Sequence, residues 1–247
     1  MTSARHSPLR ILLGAGNTRD QLLLSAHQSV DGISADIRVH DGEVFASAST
    51  RLDGLGLLGA ARLASRLLPA RLRPARFDAA EPERVTLDEL LRAVDGRSRL
   101  LLRVHGAMAD PAPEIARVLY PLADRSHLLV CAEDWALADR LLAWLPGLRI
   151  AYLVTTEGPL RRFVQGRLDG SQREVPLLVR DGLIHTSDEA QSLRGRAGAL
   201  GAWAVGSAAR ARELASWGVD VVASELLEAL AAVPLEPGLA QPPHRAS

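Results

Sequence analysis

The feature that most limits what this chain can fold into is an alternation. Eight short, nearly continuous apolar runs recur along it, at residues 9–13, 32–38, 99–104, 127–132, 149–154, 175–179, 200–205 and 219–223. Each leads into a stretch with helical spacing or a helix-start signal. Runs that are apolar at successive positions suit strands buried on both faces, as in a parallel sheet covered by helices. The helix starts carry their own marks. Thr18-Arg-Asp-Gln21, Thr86-Leu-Asp-Glu89 and Thr186-Ser-Asp-Glu189 each read as a capping box, in which the hydroxyl accepts from a backbone N–H and the Gln or Glu reaches back. Leu22, Leu23, Ala26 and Val30 follow the first box at helical spacing. The other helices are expected from Thr86 to about Val94, at 111–122, 135–145, 158–165, from Thr186 to about Ala197, and at 208–217 and 224–232.

One unit departs from the beat. After the run at 32–38, Asp41-Gly42 reads as a tight turn and 43–46 as a return strand. Residues 51–84 are the least regular, with a helix at 55–68 weakened by Gly56 and Gly59 and a loop-like stretch at 69–82. Eight strand–helix units in 247 residues favour a (β/α)8 TIM barrel over a doubly wound sheet. The expected organisation is a single barrel domain over 1–233, followed by a flexible Pro-rich tail over 234–247.

Composition narrows the partners. Lys+Arg and Asp+Glu are each 29, for a formal net charge of +0, so no global field draws in nucleic acid or an anionic membrane. Every one of the basic residues is arginine, which removes lysine as a Schiff-base former, general base or phosphate clamp. No stretch approaches the ~18 consecutive apolar residues of a membrane span, and the apolar run after Arg10 is too short for a signal-peptide core. The single cysteine, Cys131, lies inside an apolar run, excludes an intrachain disulfide and reads as core. A cytoplasmic protein is expected.

Chemistry is expected where strands end. Asp36 stands at the end of the second run, and Gly14-Ala15-Gly16 forms the turn after the first. The glycine spacing gives neither Gly-x-Gly-x-x-Gly nor Gly-x-x-x-x-Gly-Lys, so a nucleotide loop is a poor reading.

The order of these pieces resembles the glycerophosphodiester phosphodiesterase family along nearly the whole chain. Ser29-Val30-Asp31-Gly32-Ile33-Ser34-Ala35-Asp36-Ile37-Arg38 is similar to the family's second strand, roughly Gly-Ala-Asp-x-Ile-Glu-x-Asp-Val, and Asp41-Gly42 to its Asp-Gly turn. Arg19-Asp20 stands at the family's Glu-Asn helix start. Val85-Thr86-Leu87-Asp88-Glu89-Leu90-Leu91 resembles Pro-Thr-Leu-x-Glu-x-Leu, Ala202-Trp203-Ala204-Val205 resembles Val-Trp-Thr-Val, and Trp217-Gly218-Val219-Asp220-Val221-Val222 resembles Leu-Gly-Val-Asp-Gly-Ile. The resemblance implies the barrel of the phospholipase-C-like phosphodiesterases. It also implies two catalytic histidines and a divalent cation held by carboxylates, which neutralises the phosphate while imidazoles move protons.

The departures fall on that chemistry. Gly14 and Ala15 replace the first histidine and its arginine, and Ala48 replaces the second histidine, so no catalytic residue is assigned. Ser34 and Arg103 replace two metal-binding glutamates, and only Asp36 remains of the metal set. A hard divalent cation wants several oxygen ligands, so no cofactor is expected. If the register follows the family, Asp36 and Arg103 lie at the ends of neighbouring strands and read either as a bidentate ion pair where the metal would lie or as two independent surface charges. His105 stands where the family has Lys, and His105 and His185 are the histidines placed to reach the barrel mouth; as lone histidines both also read as ordinary polar residues. Trp203 serves either as an apolar wall for a ligand or as core.

The expected function is a glycerophosphodiester phosphodiesterase-like protein that has lost metal-dependent hydrolysis, with a ligand-binding or structural role. Ligand candidates are Arg38, Arg103, His105, His185 and Trp203, for a small phosphate- or polyol-bearing molecule. The alternative is a divergent, active phosphoric diester hydrolase of lipid metabolism that uses Ca²⁺ or Mg²⁺. Protein partners are not indicated by any motif.

Overall fold

The computed structural model describes residues 7–25, 28–46, 84–94, 98–105, 110–122, 126–166 and 174–234. The expected helix at 55–68, the loop at 69–82, Ala48 and all of the C-terminal tail but Pro234 lie outside the described residues. In chain order the strands are β1 (Leu9–Leu12), β2 (Gly32–His40), β3 (Glu43–Ala46), β4 (Val85–Thr86), β5 (Arg99–Val104), β6 (Leu128–Ala132), β7 (Arg149–Val154), β8 (Leu177–Arg180), β9 (Leu200–Trp203) and β10 (Val221–Ser224). The helices are α1 (Arg19–Ser25), α2 (Leu87–Val94), α3 (Ala112–Leu119), α4 (Trp135–Trp144), α5 (Glu157–Gly166), α6 (Ser187–Ala197), α7 (Ala208–Ser216) and α8 (Leu227–Ala231).

The sheet runs β1-β10-β9-β8-β7-β6-β5-β2-β3-β4, and β1 also pairs with β2. That second pairing closes β1, β2 and β5 to β10 into a ring of eight parallel strands with helices outside, the expected (β/α)8 barrel. Strands β3 and β4 lie beyond the ring as an antiparallel extension of β2. The Asp41-Gly42 turn between β2 and β3 has φ of 51° and 77°, the double left-handed geometry of a hairpin turn that follows the strand twist.

Alternation along each strand separates two cores. Outward side chains such as Ile33, Ala35, Ile37, Leu100, Leu102 and Val130 pack under α2 to α4, and Val154, Leu177, Val179, Ala202 and Val222 under the later helices. The barrel interior is filled by Ile11, Leu101, Cys131, Ala151, Leu153, Leu178 and Ala223. Small residues at several of these positions suit the narrow bore of an eight-stranded ring.

One of the two shortest seams of the ring is reinforced by charge. β1 and β2 share only the pairs Ile11–Gly32 and Leu12–Ile33. Arg10, 7% exposed, grips the Asp31 carboxylate with Nε and Nη2, both at 3.0 Å, and its backbone N–H donates to the same group at 2.8 Å. Gly32 is required there, because a Cβ would lie 2.3 Å from the Arg99 carbonyl oxygen.

The expected runs all appear as strands, and the differences have local causes. Thr86 and Thr186 form full capping boxes with Glu89 and Glu189; at Thr18 the hydroxyl accepts from Gln21 N at 3.2 Å. Helix α1 is described over Arg19–Ser25, and Val30, expected on its helical spacing, packs against the second outer core. Helix α3 ends at Leu119, two residues before Pro121, which has no N–H to extend the ladder. β8 starts after Pro176 for the same reason and extends to Arg180. α8 starts at Leu227 because Ser224 finishes β10, its Oγ donating to Val205 O at 2.6 Å and accepting from Leu226 N at 2.9 Å. The two-residue β4 was not expected. Among the described residues, no helix is long and apolar enough to cross a membrane.

Candidate functional site at the barrel mouth

Because β2 alternates, Ser34 and Asp36 face the interior while their neighbours face the helices. The β2–β5 register sets Asp36 opposite Arg103, at the strand ends where barrel chemistry is built. Arg103 Nε donates to Asp36 Oδ1 at 2.5 Å. The contact runs through Nε alone, so the expected bidentate pair is in fact a single charge-assisted hydrogen bond. The other face of Arg103 lies over Trp203, its guanidinium carbon 5.5 Å from the ring centroid.

Three further groups hold Asp36. His105 continues the β5 pairing, its N–H donating to Ile37 O at 3.1 Å, and its Nε2 lies 3.3 Å from Asp36 Oδ1. Asn17, 7% exposed, closes a two-point clamp: Nδ2 donates to Asp36 Oδ2 at 3.0 Å and Oδ1 accepts from Asp36 N at 2.7 Å. The turn that delivers Asn17 explains the glycines around Ala15. Gly14 has φ of 72° and donates its N–H to Ser34 Oγ at 2.9 Å. Gly16 donates to Ser34 O at 2.9 Å, and a Cβ on it would lie 2.9 Å from the Ala35 Cβ. Ala15 between them packs into the outer core.

The electrostatics follow from this geometry. Burial alone would push the Asp36 carboxyl up, but hydrogen bonds from His105 and Arg103, with the Arg103 charge, outweigh it and hold the group well below the usual carboxylate range. Burial likewise works against a charged Arg103, and the Asp36 bond and charge reverse it. Cys131, opposite Arg103 on β6, is pushed up to about 12 by burial, so it is a neutral thiol at ordinary pH.

The remaining candidates divide. Trp203 is half-buried, packs on the interior cluster and donates Nε1 to Val154 O at 3.4 Å, so it both fills the core and lines the mouth. Arg38 lies two residues beyond Asp36 on the same face of β2, and its Nε is buried with no hydrogen-bond partner among the described residues. His185 is exposed after β8 and its N–H donates to Glu189 Oε2 at 2.8 Å; no hydrogen bond among the described residues links its side chain to Asp36. Two residues were missed by sequence reasoning. Asn17 falls between the Gly14-Ala15-Gly16 turn and the Thr18 capping box and was given no role, although its position directly after the turn was the available signal. Arg180 falls opposite Trp203 at the mouth once β8 is placed after Pro176.

A divalent cation of the kind the resemblance implies does not fit these residues. Asp36 Oδ1 is taken by Arg103 and His105, Oδ2 by Asn17, and the Ser34 hydroxyl accepts from Gly14. A guanidinium 2.5 Å from the one remaining carboxylate oxygen repels a second cation. Among the described residues, no group of three or more His, Cys, Asp or Glu side chains is placed to hold a metal.

No protein-family model matches the chain, and no curated protein matches it. Solved structures do. A glycerophosphodiester phosphodiesterase from Thermotoga maritima is 19% identical, with a TM-score of 0.64 over 91% of this chain and 97% of that one. One from Agrobacterium tumefaciens is 19% identical, with a TM-score of 0.62 over 92% and 100%. A phosphodiesterase from Oleispira antarctica, solved with the product sn-glycerol-3-phosphate, is 17% identical, with a TM-score of 0.66 over 92% and 96%. The chain has the fold of these enzymes across nearly its full length.

Proposed function

We propose that this chain is a divergent member of the glycerophosphodiester phosphodiesterase family that binds a small phosphate- or polyol-bearing ligand at its barrel mouth without metal-dependent hydrolysis. The observation that carries the proposal is the Arg103–Asp36 contact, which sets a fixed cation beside the one carboxylate left of the metal set. Hydrolysis through a metal needs an ion to neutralise the phosphate and open coordination positions to orient it. Here the positive charge is supplied by guanidinium groups, which attract a phosphate but do not lower the pKa of a bound water as a metal does. The Nη groups of Arg103 are not used on Asp36, and Arg38 adds an Nε with no hydrogen-bond partner among the described residues; both guanidiniums suit phosphate oxygens. Trp203, partly exposed beside Arg103, offers apolar ring surface to the carbon skeleton of a polyol. The Oleispira antarctica structure, which holds sn-glycerol-3-phosphate, supports a ligand of this class.

The His105–Asp36 contact favours a second reading, in which this pair moves protons in a divergent hydrolase of glycerophosphodiesters. Titration with sn-glycerol-3-phosphate in EDTA and in Ca²⁺, beside an assay of glycerophosphocholine cleavage, separates the two. The first reading expects equal binding in both buffers and no cleavage. Cleavage that disappears in His105→Ala would establish the second.

A further inference from the structure

The opposite end of the barrel carries a separate feature. A cavity of about 110 Å³ opens at the N-terminal ends of the strands, with apolar walls that include Leu9, Leu101, Leu129 and Val221. Its size approaches the ~150 Å³ at which an apolar cavity in a protein admits a benzene-sized guest. The N-terminal face of such a barrel ordinarily serves stability, and none of the mouth residues lines this cavity.

Its rim is charged in an uneven way. Arg99 and Arg149 both line the cavity, on β5 and β7, at either side of β6. Arg99 Nη1 donates to Ser126 O at 2.6 Å, and its other donors have no partner among the described residues. Arg149 is exposed and has no hydrogen-bond or ion-pair partner among the described residues. Neither has a carboxylate partner among them, unlike Arg10 with Asp31 and Arg194 with Asp220 on the same face. Asp220 also lines the cavity, but its carboxylate accepts from Arg194 at 2.8 and 3.0 Å and from Leu200 N at 2.9 Å. Its charge still disfavours a dianion and leaves room for a single negative charge near the two guanidiniums.

We infer that this cavity is a second ligand site, for a small amphipathic carboxylate whose apolar part enters between the strand ends while its carboxylate meets Arg99 and Arg149. Guanidinium matches carboxylate geometry, and an apolar pocket with a few convergent polar groups is the usual form of a small-molecule site. The inference is independent of the function proposed for the mouth.

The probe is benzoate, titrated by calorimetry into the full chain, with benzyl alcohol as the uncharged match and phenyl phosphate as the dianion. The expected result is saturable benzoate binding, weakened about tenfold or more in Arg149→Gln and in Arg99→Gln, as for loss of one charge-assisted hydrogen bond. Ala199→Leu, at the half-buried rim, is expected to abolish binding by filling the cavity. Leu9→Phe fills it from β1 and serves where the first variant does not fold. Benzyl alcohol binding as tightly as benzoate, phenyl phosphate binding more tightly, affinity unchanged in the arginine variants, or no saturable benzoate binding would each overturn the inference.

Discussion

Replacing Arg103 with methionine tests the mouth most sharply as a structural unit. Methionine keeps much of the length and apolar bulk of the side chain but removes the donor that Asp36 receives at 2.5 Å. The Asp36 side chain is 8% exposed and that of Arg103 22%, so the variant leaves a nearly buried carboxylate without its cation. Breaking a buried pair by removing one partner costs ~3–5 kcal/mol. Asn17 and His105 still contact Asp36, and water reaches the Arg103 side, which lowers the expected loss to about 2–3 kcal/mol at neutral pH. The pH dependence has a definite sign. In the unaltered protein the Asp36 carboxyl lies below its unfolded value of ~3.9, so its contribution is complete above that pH and lost as pH falls through the folded value. In Arg103→Met, burial pushes the carboxyl up, Asp36 protonates at higher pH, and the gap between the proteins narrows as the medium is acidified. Urea unfolding followed by far-UV circular dichroism across pH measures this. Arg103→Met paired with Asp36→Asn completes a double-mutant cycle with an expected coupling of at least about 1.5 kcal/mol. Additive losses, or a gap that does not change with pH, would refute the reasoning.

Other regions make simpler predictions. Ala204 is exposed with φ of 58°, so Ala204→Gly is expected to raise stability by about 0.5–1 kcal/mol in urea melts; a loss would show that the turn is not strained. Cys131, held up to about 12 and fully buried, is expected to resist thiol reagents at pH 8 in the native protein and to react only on unfolding; fast native labelling would contradict its burial. Ser34→Glu with Arg103→Glu restores two carboxylates beside Asp36 and is expected to gain Ca²⁺ binding, of roughly millimolar affinity, that the parent lacks. Calorimetry reads that gain, and a parent that already binds Ca²⁺ as tightly would remove the metal-exclusion argument.

The parts of the fold that were legible in the sequence are those set by local chemistry. Continuous apolar runs such as 99–104 and 149–154 leave no solvent face, so the parallel barrel follows from their pattern and number. Thr86 with Glu89 and Thr186 with Glu189 mark helix starts because their bonds span three residues. The Asp36–Arg103 meeting was legible only through the register that the family resemblance supplied, and its single-bond geometry was not. Asn17 was hidden because its role depends on how Gly14 and Gly16 fold the turn back onto β2. The cavity at the opposite end depends on how inward side chains from several strands fail to fill one layer. No single stretch records that.

The central claim is that guanidinium groups replace a metal at the mouth and leave binding without hydrolysis. Its most direct test is incubation of the purified chain with glycerophosphocholine and Ca²⁺ or Mg²⁺, followed by measurement of released sn-glycerol-3-phosphate. The account predicts no release above a protein-free control, with or without EDTA. Turnover that needs the cation and disappears in Asp36→Ala would contradict it.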